Sequence, residues 1–193
     1  EDSRGVFKSL NIDVRQYRKL RMFMHAEKIA DADYSDDDTP LVGFSRIGTD
    51  FSDNSYQIQR SLQYTPFSGR SEEEIWPEVN ELEILLSDLN MVKSAWIAGG
   101  DLTEVRFFEI ENGEVIPVDE FAPRTLGRNR IGIKGNPSLG SIRSMMVGVK
   151  NVEDIVARLK AYAPDPVPGE SIIAQGWDEG YFGSVGYPDR AQI

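Results

Sequence analysis

The chain has no cysteine and one histidine among its 193 residues. Without cysteine there is no disulfide framework and no thiolate metal site, so stability rests on packing. Without a second histidine, a Gly-x-Ser-x-Gly turn or a phosphate-binding glycine loop, the usual zinc, nucleophile and nucleotide constellations are missing too. Basic side chains are the minority, 21 against 32 acidic, and the net charge of −11 would repel nucleic acid or an anionic membrane surface. No apolar run approaches the roughly 20 residues that cross a bilayer as a helix, and residues 1–5, EDSRG, do not read as a signal peptide. The expectation is a soluble piece whose targeting signal lies outside it.

What is present is a series of short alternating segments. The length and a 40% hydrophobic content suit one domain burying roughly 70% of its unfolded surface. Leu20, Met22, Met24 and Ala26 alternate with Lys19, Arg21, Phe23, His25 and Glu27, as in a half-buried strand. Residues 41–47 read as a second strand and 48–54 as a loop. In the third strand Tyr56, Ile58, Leu62 and Tyr64 face one way and Gln57, Gln59, Ser61 and Gln63 the other. That glutamine row would be costly against lipid, so it predicts an outer face in water and not a barrel wall.

Residues 80–86 alternate again, and Ser87 with Asp88 is expected to cap one or two helical turns ending by Ala95. Asn112-Gly113 between residues 104–110 and 114–118 is a strong hairpin signal, because both central positions of a type I′ turn need positive φ. Gly135, Asn136 and Pro137 force a turn, followed by the apolar run Ile142, Met145, Met146, Val147 and Val149 of an interior strand.

Some seven short strands at this spacing predict a mainly β fold: a two-layer antiparallel β-sandwich, jelly-roll-like, of the galactose-binding kind. Val152, Ile155, Val156, Leu159 and Tyr162 then follow helical spacing, and the proline, glycine and aromatic content beyond them reads as an extended tail. The division expected is a sandwich domain with a short C-terminal helix over 1–162 and a tail over 163–193.

Arg46 and Arg60 each interrupt an apolar row, so each guanidinium needs a partner or must snorkel; Asp50 is the candidate for an ion pair that fixes sheet register. Phe23, Trp76 and Trp96 are the aromatics left to form a sugar-binding platform, since Tyr56 and Tyr64 lie on an apolar face. The acidic run containing Asp36 and Asp38, with Asp50 and Asp53 in the next loop, is a weak candidate calcium site, lacking the spacing and glycine of an EF-hand loop. No other cofactor is expected. His25 reads as an ordinary surface residue. No pair of carboxylates is singled out by spacing as a glycosidase pair, and the chain is not read as an enzyme.

Three stretches, in order along the chain, resemble the SprA family, also called Sov. They are DVRQYRKLRMFMHAE at 13–27; FSRIGTD at 44–50 with NSY at 54–56, IWPE at 75–78 and NEL at 80–82; and GNPSL at 135–139 with MMVGVKN at 145–151. The resemblance ends at Asn151. It implies a soluble domain inserted in the giant outer-membrane translocon of type IX secretion and gliding motility in a Bacteroidetes-type envelope. Its implied partners are the parent's other domains, other secretion proteins and exported cargo, with no nucleic acid and no membrane span of its own. Two other readings stay open: a carbohydrate-binding module of a cell-surface protein, and a calcium-stabilised adhesion domain.

Overall fold

Asn112 and Gly113 adopt φ of 51° and 83°, the two left-handed positions of a type I′ turn. The turn joins β6 (Arg106–Glu111) to β7 (Glu114–Val118) in the expected hairpin. The structure, a computed structural model, describes residues 3–27, 41–66 and 71–151. The helix expected from Val152 to Tyr162 and the tail beyond it lie outside the described residues, as does the boundary between them.

The fold is mainly β and antiparallel, in agreement with the strand spacing. The remaining elements are β1 (Ser3–Ile12), β2 (Lys19–Phe23), β3 (Leu41–Gly48), β4 (Ser55–Ser61), α1 (Glu72–Ile75), a 3-10 turn (Glu78–Asn80), β5 (Glu81–Leu85), α2 (Leu86–Ala98), β8 (Asn129–Lys134) and β9 (Ile142–Asn151). Seven strands form one large sheet in the order β1-β9-β3-β4-β8-β6-β7, and β2 and β5 pair in a small one. β9 lies between β1 and β3, the interior position its apolar run predicts.

The small sheet and α2 form the second layer. Leu82 and Ile84 of β5 join Leu86, Leu89, Val92 and Trp96 of α2 in one cluster with Ile47, Tyr56, Ile58, Phe108, Ile131 and Ile133 of the large sheet. Burying a side chain of this size stabilises by about 1.5–3 kcal/mol, so this face dominates folding. Two expectations need correction. The helix runs 13 residues from Leu86 to Ala98, longer than two turns and past Ala95, and its N-cap Leu85 gives no side-chain hydrogen bond. Packing of its apolar residues, more than a cap, sustains it. The strand β1 carried no clear period, and Val6 and Phe7 remain 70% and 50% exposed at the edge of the sheet.

The second correction concerns the glutamines. Gln57 and Gln59 point away from the main cluster, as read, but they are buried, with Gln59 fully so. The large sheet is therefore covered on both faces, the second by the buried apolar residues Phe44, Phe107 and Met146 together with the glutamines, which find partners in Arg46 and Arg124.

Candidate functional site

Arg46 and Arg60 lie on opposite faces of the large sheet. Arg46 pairs with Gln57 in register, on the face away from the main cluster, and donates through Nε to Gln57 Oε1 at 2.8 Å and through Nη1 to the Phe51 carbonyl. Arg60 shares the face of Tyr56 and Ile58, and its guanidinium donates to the Val79 carbonyl at 2.7 Å and to Asn129 Oδ1 at 2.8 Å. Burial lowers the Arg60 pKa. Each arginine ties neighbouring segments together through amide and carbonyl oxygens, since a planar five-donor fork finds acceptors along any strand end.

Asp50 is turned elsewhere. Its Oδ1 accepts from the backbone N–H groups of Ser52, Asp53 and Asn54, and its Oδ2 accepts from the Asn54 side chain at 2.8 Å. Burial alone would push this carboxyl up, but the donors from Asn54, Asp53 and Ser52 together outweigh it and hold the pKa below its ordinary value. The expected pairing of the arginines with Asp50 is thus replaced by a loop brace: a carboxylate one turn from a strand end meets uncommitted N–H groups before it meets a cation. Of the calcium candidates, Asp36 and Asp38 lie outside the described residues, while Asp53 pairs with Lys134 at 3.1 Å. Among the described residues no group of three or more His, Asp or Glu is placed to hold a metal ion.

Two of the three platform aromatics come together. Phe23, at the end of β2, and Trp76, just after α1, are about half exposed, with ring centroids 6.4 Å apart and planes at 76°. His25 lies 5.3 Å from Trp76 and meets the Ile75 carbonyl at 2.7 Å through Nδ1. A carbonyl only accepts, so Nδ1 carries the proton there. Arg21 sits over Phe23 at 5.1 Å. α1 holds Trp76 in place through a capping box, with Ser71 Oγ accepting from the Glu74 N–H and Glu74 accepting from the Ser71 N–H. The result is an aromatic corner and not a flat platform. Trp96 is the correction: it is 1% exposed in the main cluster, donating through Nε1 to the Gly135 carbonyl at 3.0 Å and stacked by Arg106.

The most densely bonded polar cluster was not legible in the sequence. Arg130, 2% exposed, donates to Glu109 at 2.9 and 2.7 Å and to the carbonyls of Asp119, Glu120, Ala122 and Pro123. Beside it Arg124 donates to Gln59 and to the Glu120 carbonyl, and Lys150 meets Glu120 at 2.5 Å. Burial first, then the neighbouring Arg130, pushes the Arg124 pKa down to about 10, with Glu120 and Glu109 opposing, so it stays charged at neutral pH. These groups clamp the 119–124 segment over the sheet. A signal existed in Arg130 beside Ile131 and Gly132, a charge inside an apolar strand, but its partner Glu109 is identified only by strand register.

The turn at 135–138 connects these regions. The Asn136 N–H donates to Asn54 Oδ1 at 2.9 Å, the Gly135 N–H donates to the Leu102 carbonyl, and Lys93 reaches the Pro137 carbonyl at 2.7 Å. Every bond of this turn therefore holds the fold together.

Residues 1–167 match a family model, SprA_N, described as a motility related/secretion protein. The match runs past Asn151, where the resemblance in the sequence stops, so the departure there does not mark the edge of the family. No curated protein matches the chain.

Proposed function

The chain belongs to the SprA_N family of motility-related and secretion proteins, and from that membership we propose that it is a non-catalytic structural and interaction module of an outer-membrane translocon of type IX secretion, serving protein export to the cell surface and gliding motility. The observation that carries the reading is the family match over most of the chain. The chemistry of the buried polar residues agrees with it. Glu109, Glu120, Arg124 and Arg130 are committed to one another and to backbone carbonyls, and Asp50 to its own loop. Such groups hold a shape and are poorly placed to turn over a substrate.

In this reading the domain sits in the cell envelope, associated with the outer membrane, and docks against other domains of its parent, other secretion proteins or passing cargo. Among the described residues no helix is long and apolar enough to cross a membrane. The test is an in-frame removal of the domain from the parent protein, with export of surface cargo and gliding measured at matched parent levels. Loss of both is expected, and normal export and motility would overturn the proposal.

The aromatic corner favours a second reading, a carbohydrate-binding module. Phe23 and Trp76 are exposed and adjacent, which a sugar edge can exploit. A glycan array probed with the chain and with Trp76→Ala tests it. Hits lost in the variant support sugar binding, and a clean array ends it.

A further inference from the structure

Between the first turns of α2 and the turn at 137–140 lies a cavity of about 430 Å³, within the range of small-molecule sites. Its lining includes Arg15 and Arg18 from the β1–β2 connection, Ser87, Asn90 and Lys93 from α2, and Tyr56 from β4. Three cations and no carboxylate line it, in a chain of net charge −11. Two of the cations have fixed partners: Asp13 grips the Arg15 guanidinium at 3.0 Å through Nε and 2.6 Å through Nη2, and Lys93 is anchored on the Pro137 carbonyl. The backbone carbonyl of Arg18 accepts the Leu86 N–H at 3.0 Å, which ties the β1–β2 connection to the start of α2. Asp13 offsets part of the Arg15 charge, and Glu83 lies within electrostatic reach of Arg18. The positive end of the α2 dipole adds to what remains.

Tyr56 supplies the independent sign of a ligand. The residue is fully buried, and its hydroxyl has no hydrogen-bond partner among the described residues. Buried hydroxyls are satisfied in nearly all folds, and because Tyr56 is one of the residues lining the polar cavity, its orphan hydroxyl asks for an acceptor from outside the chain. Burial also raises the pKa of this phenol, which keeps it a donor.

We propose that this cavity binds a small oxyanion, the carboxylate or phosphate group of a compact organic ligand, with one oxygen accepting from the Tyr56 hydroxyl and the charge lying among Arg15, Arg18 and Lys93. Ser87 and Asn90 offer further donors at the mouth of the helix. The proposal concerns ligand binding and does not depend on the export role.

The experiment titrates the isotope-labelled 193-residue chain with inorganic phosphate and, separately, with succinate, at constant ionic strength, following backbone amides by NMR. Saturable shifts confined to the amides around 86–93 and 137–140 are expected, and the tighter of the two probes distinguishes phosphate from carboxylate chemistry. Tyr56→Phe should weaken that binding about tenfold, the loss of one hydrogen bond to a charged group, while leaving the ligand-free melting temperature unchanged or higher. Lys93→Gln, at a partly exposed position, should weaken it as well. Shifts that never saturate, or binding by Tyr56→Phe and Lys93→Gln equal to that of the parent chain, would overturn the site.

Discussion

The guanidinium of Arg130 lies 2.7 Å from the Glu109 carboxylate, with the arginine side chain only 3% exposed and four backbone carbonyls completing its bonding. One cation therefore fastens β8 to β6 and holds the 119–124 segment on the sheet. Removing one member leaves a buried charge uncompensated, which costs about 3–5 kcal/mol, whereas an apolar pair of similar volume is tolerated far better. Arg130→Met should lose stability on that scale in urea unfolding, and the double variant with Glu109→Leu should recover part of it. A single variant within about 1 kcal/mol of the parent chain would show that the clamp contributes little.

The two exposed and one buried members of the aromatic trio should separate cleanly. Trp96 fills the main cluster and donates to Gly135, so Trp96→Ala should cost about 3–5 kcal/mol. Trp76→Ala and Phe23→Ala remove half-exposed rings and should stay within about 1 kcal/mol. Equal losses at Trp76 and Trp96 in thermal or chemical unfolding would contradict this division between surface corner and core.

What the sequence made legible follows from how local each feature is. The Asn112-Gly113 hairpin, the strand from Leu41 to Gly48 and the turn at Gly135 are dictated by neighbours a few residues apart, and they appear where periodicity and turn chemistry place them. The burial of Gln59 is not local, because its partner Arg124 lies 65 residues away. An amide in a strand reads as solvated until that partner is known. The place of Trp96 is hidden for a simpler reason: a helix ending by Ala95 leaves it outside the Leu86, Leu89 and Val92 row to which it belongs. In β1 the apolar pair Val6 and Phe7 occupies successive positions and so opposite faces, which hides the period of two.

Asp13 offers a pH readout. Hydrogen bonds from the Arg15 side chain, then from its backbone N–H, lower its pKa from the ordinary 3.8 to about 2. A depressed folded pKa means that any stabilisation from the pair is present above that ordinary value of 3.8 and is lost as pH falls through about 2. The carboxyl carbon shift of Asp13 should titrate near pH 2, and in Arg15→Gln its midpoint should move up toward the ordinary value. An unchanged midpoint in the variant would show that Arg15 is not the cause. The same substitution removes one of the guanidinium groups lining the cationic cavity, so any anion affinity can be followed in the same samples.

Among the described glycines, Gly135 leaves a side chain the least room. Its φ of +63° favours glycine, and a Cβ built there would lie 2.0 Å from the Asp53 carbonyl oxygen and 2.6 Å from Asn54 Oδ1. The left-handed conformation alone costs an L-residue about 1–2 kcal/mol. The collision adds to it, because the obstacle is backbone in a loop already braced by Asp50. Gly135→Ala should therefore destabilise by more than about 2 kcal/mol in chemical denaturation. Asn54→Ala separates the two causes: it removes the bonds to Asn136 and Asp50 without forcing a Cβ into the turn. That variant should lose about 1–2 kcal/mol and expose the Asn136 amide to faster hydrogen exchange. If Gly135→Ala proved no worse than Asn54→Ala, the turn would have to give way easily, and its role in joining the 48–54 loop to α2 would be lost.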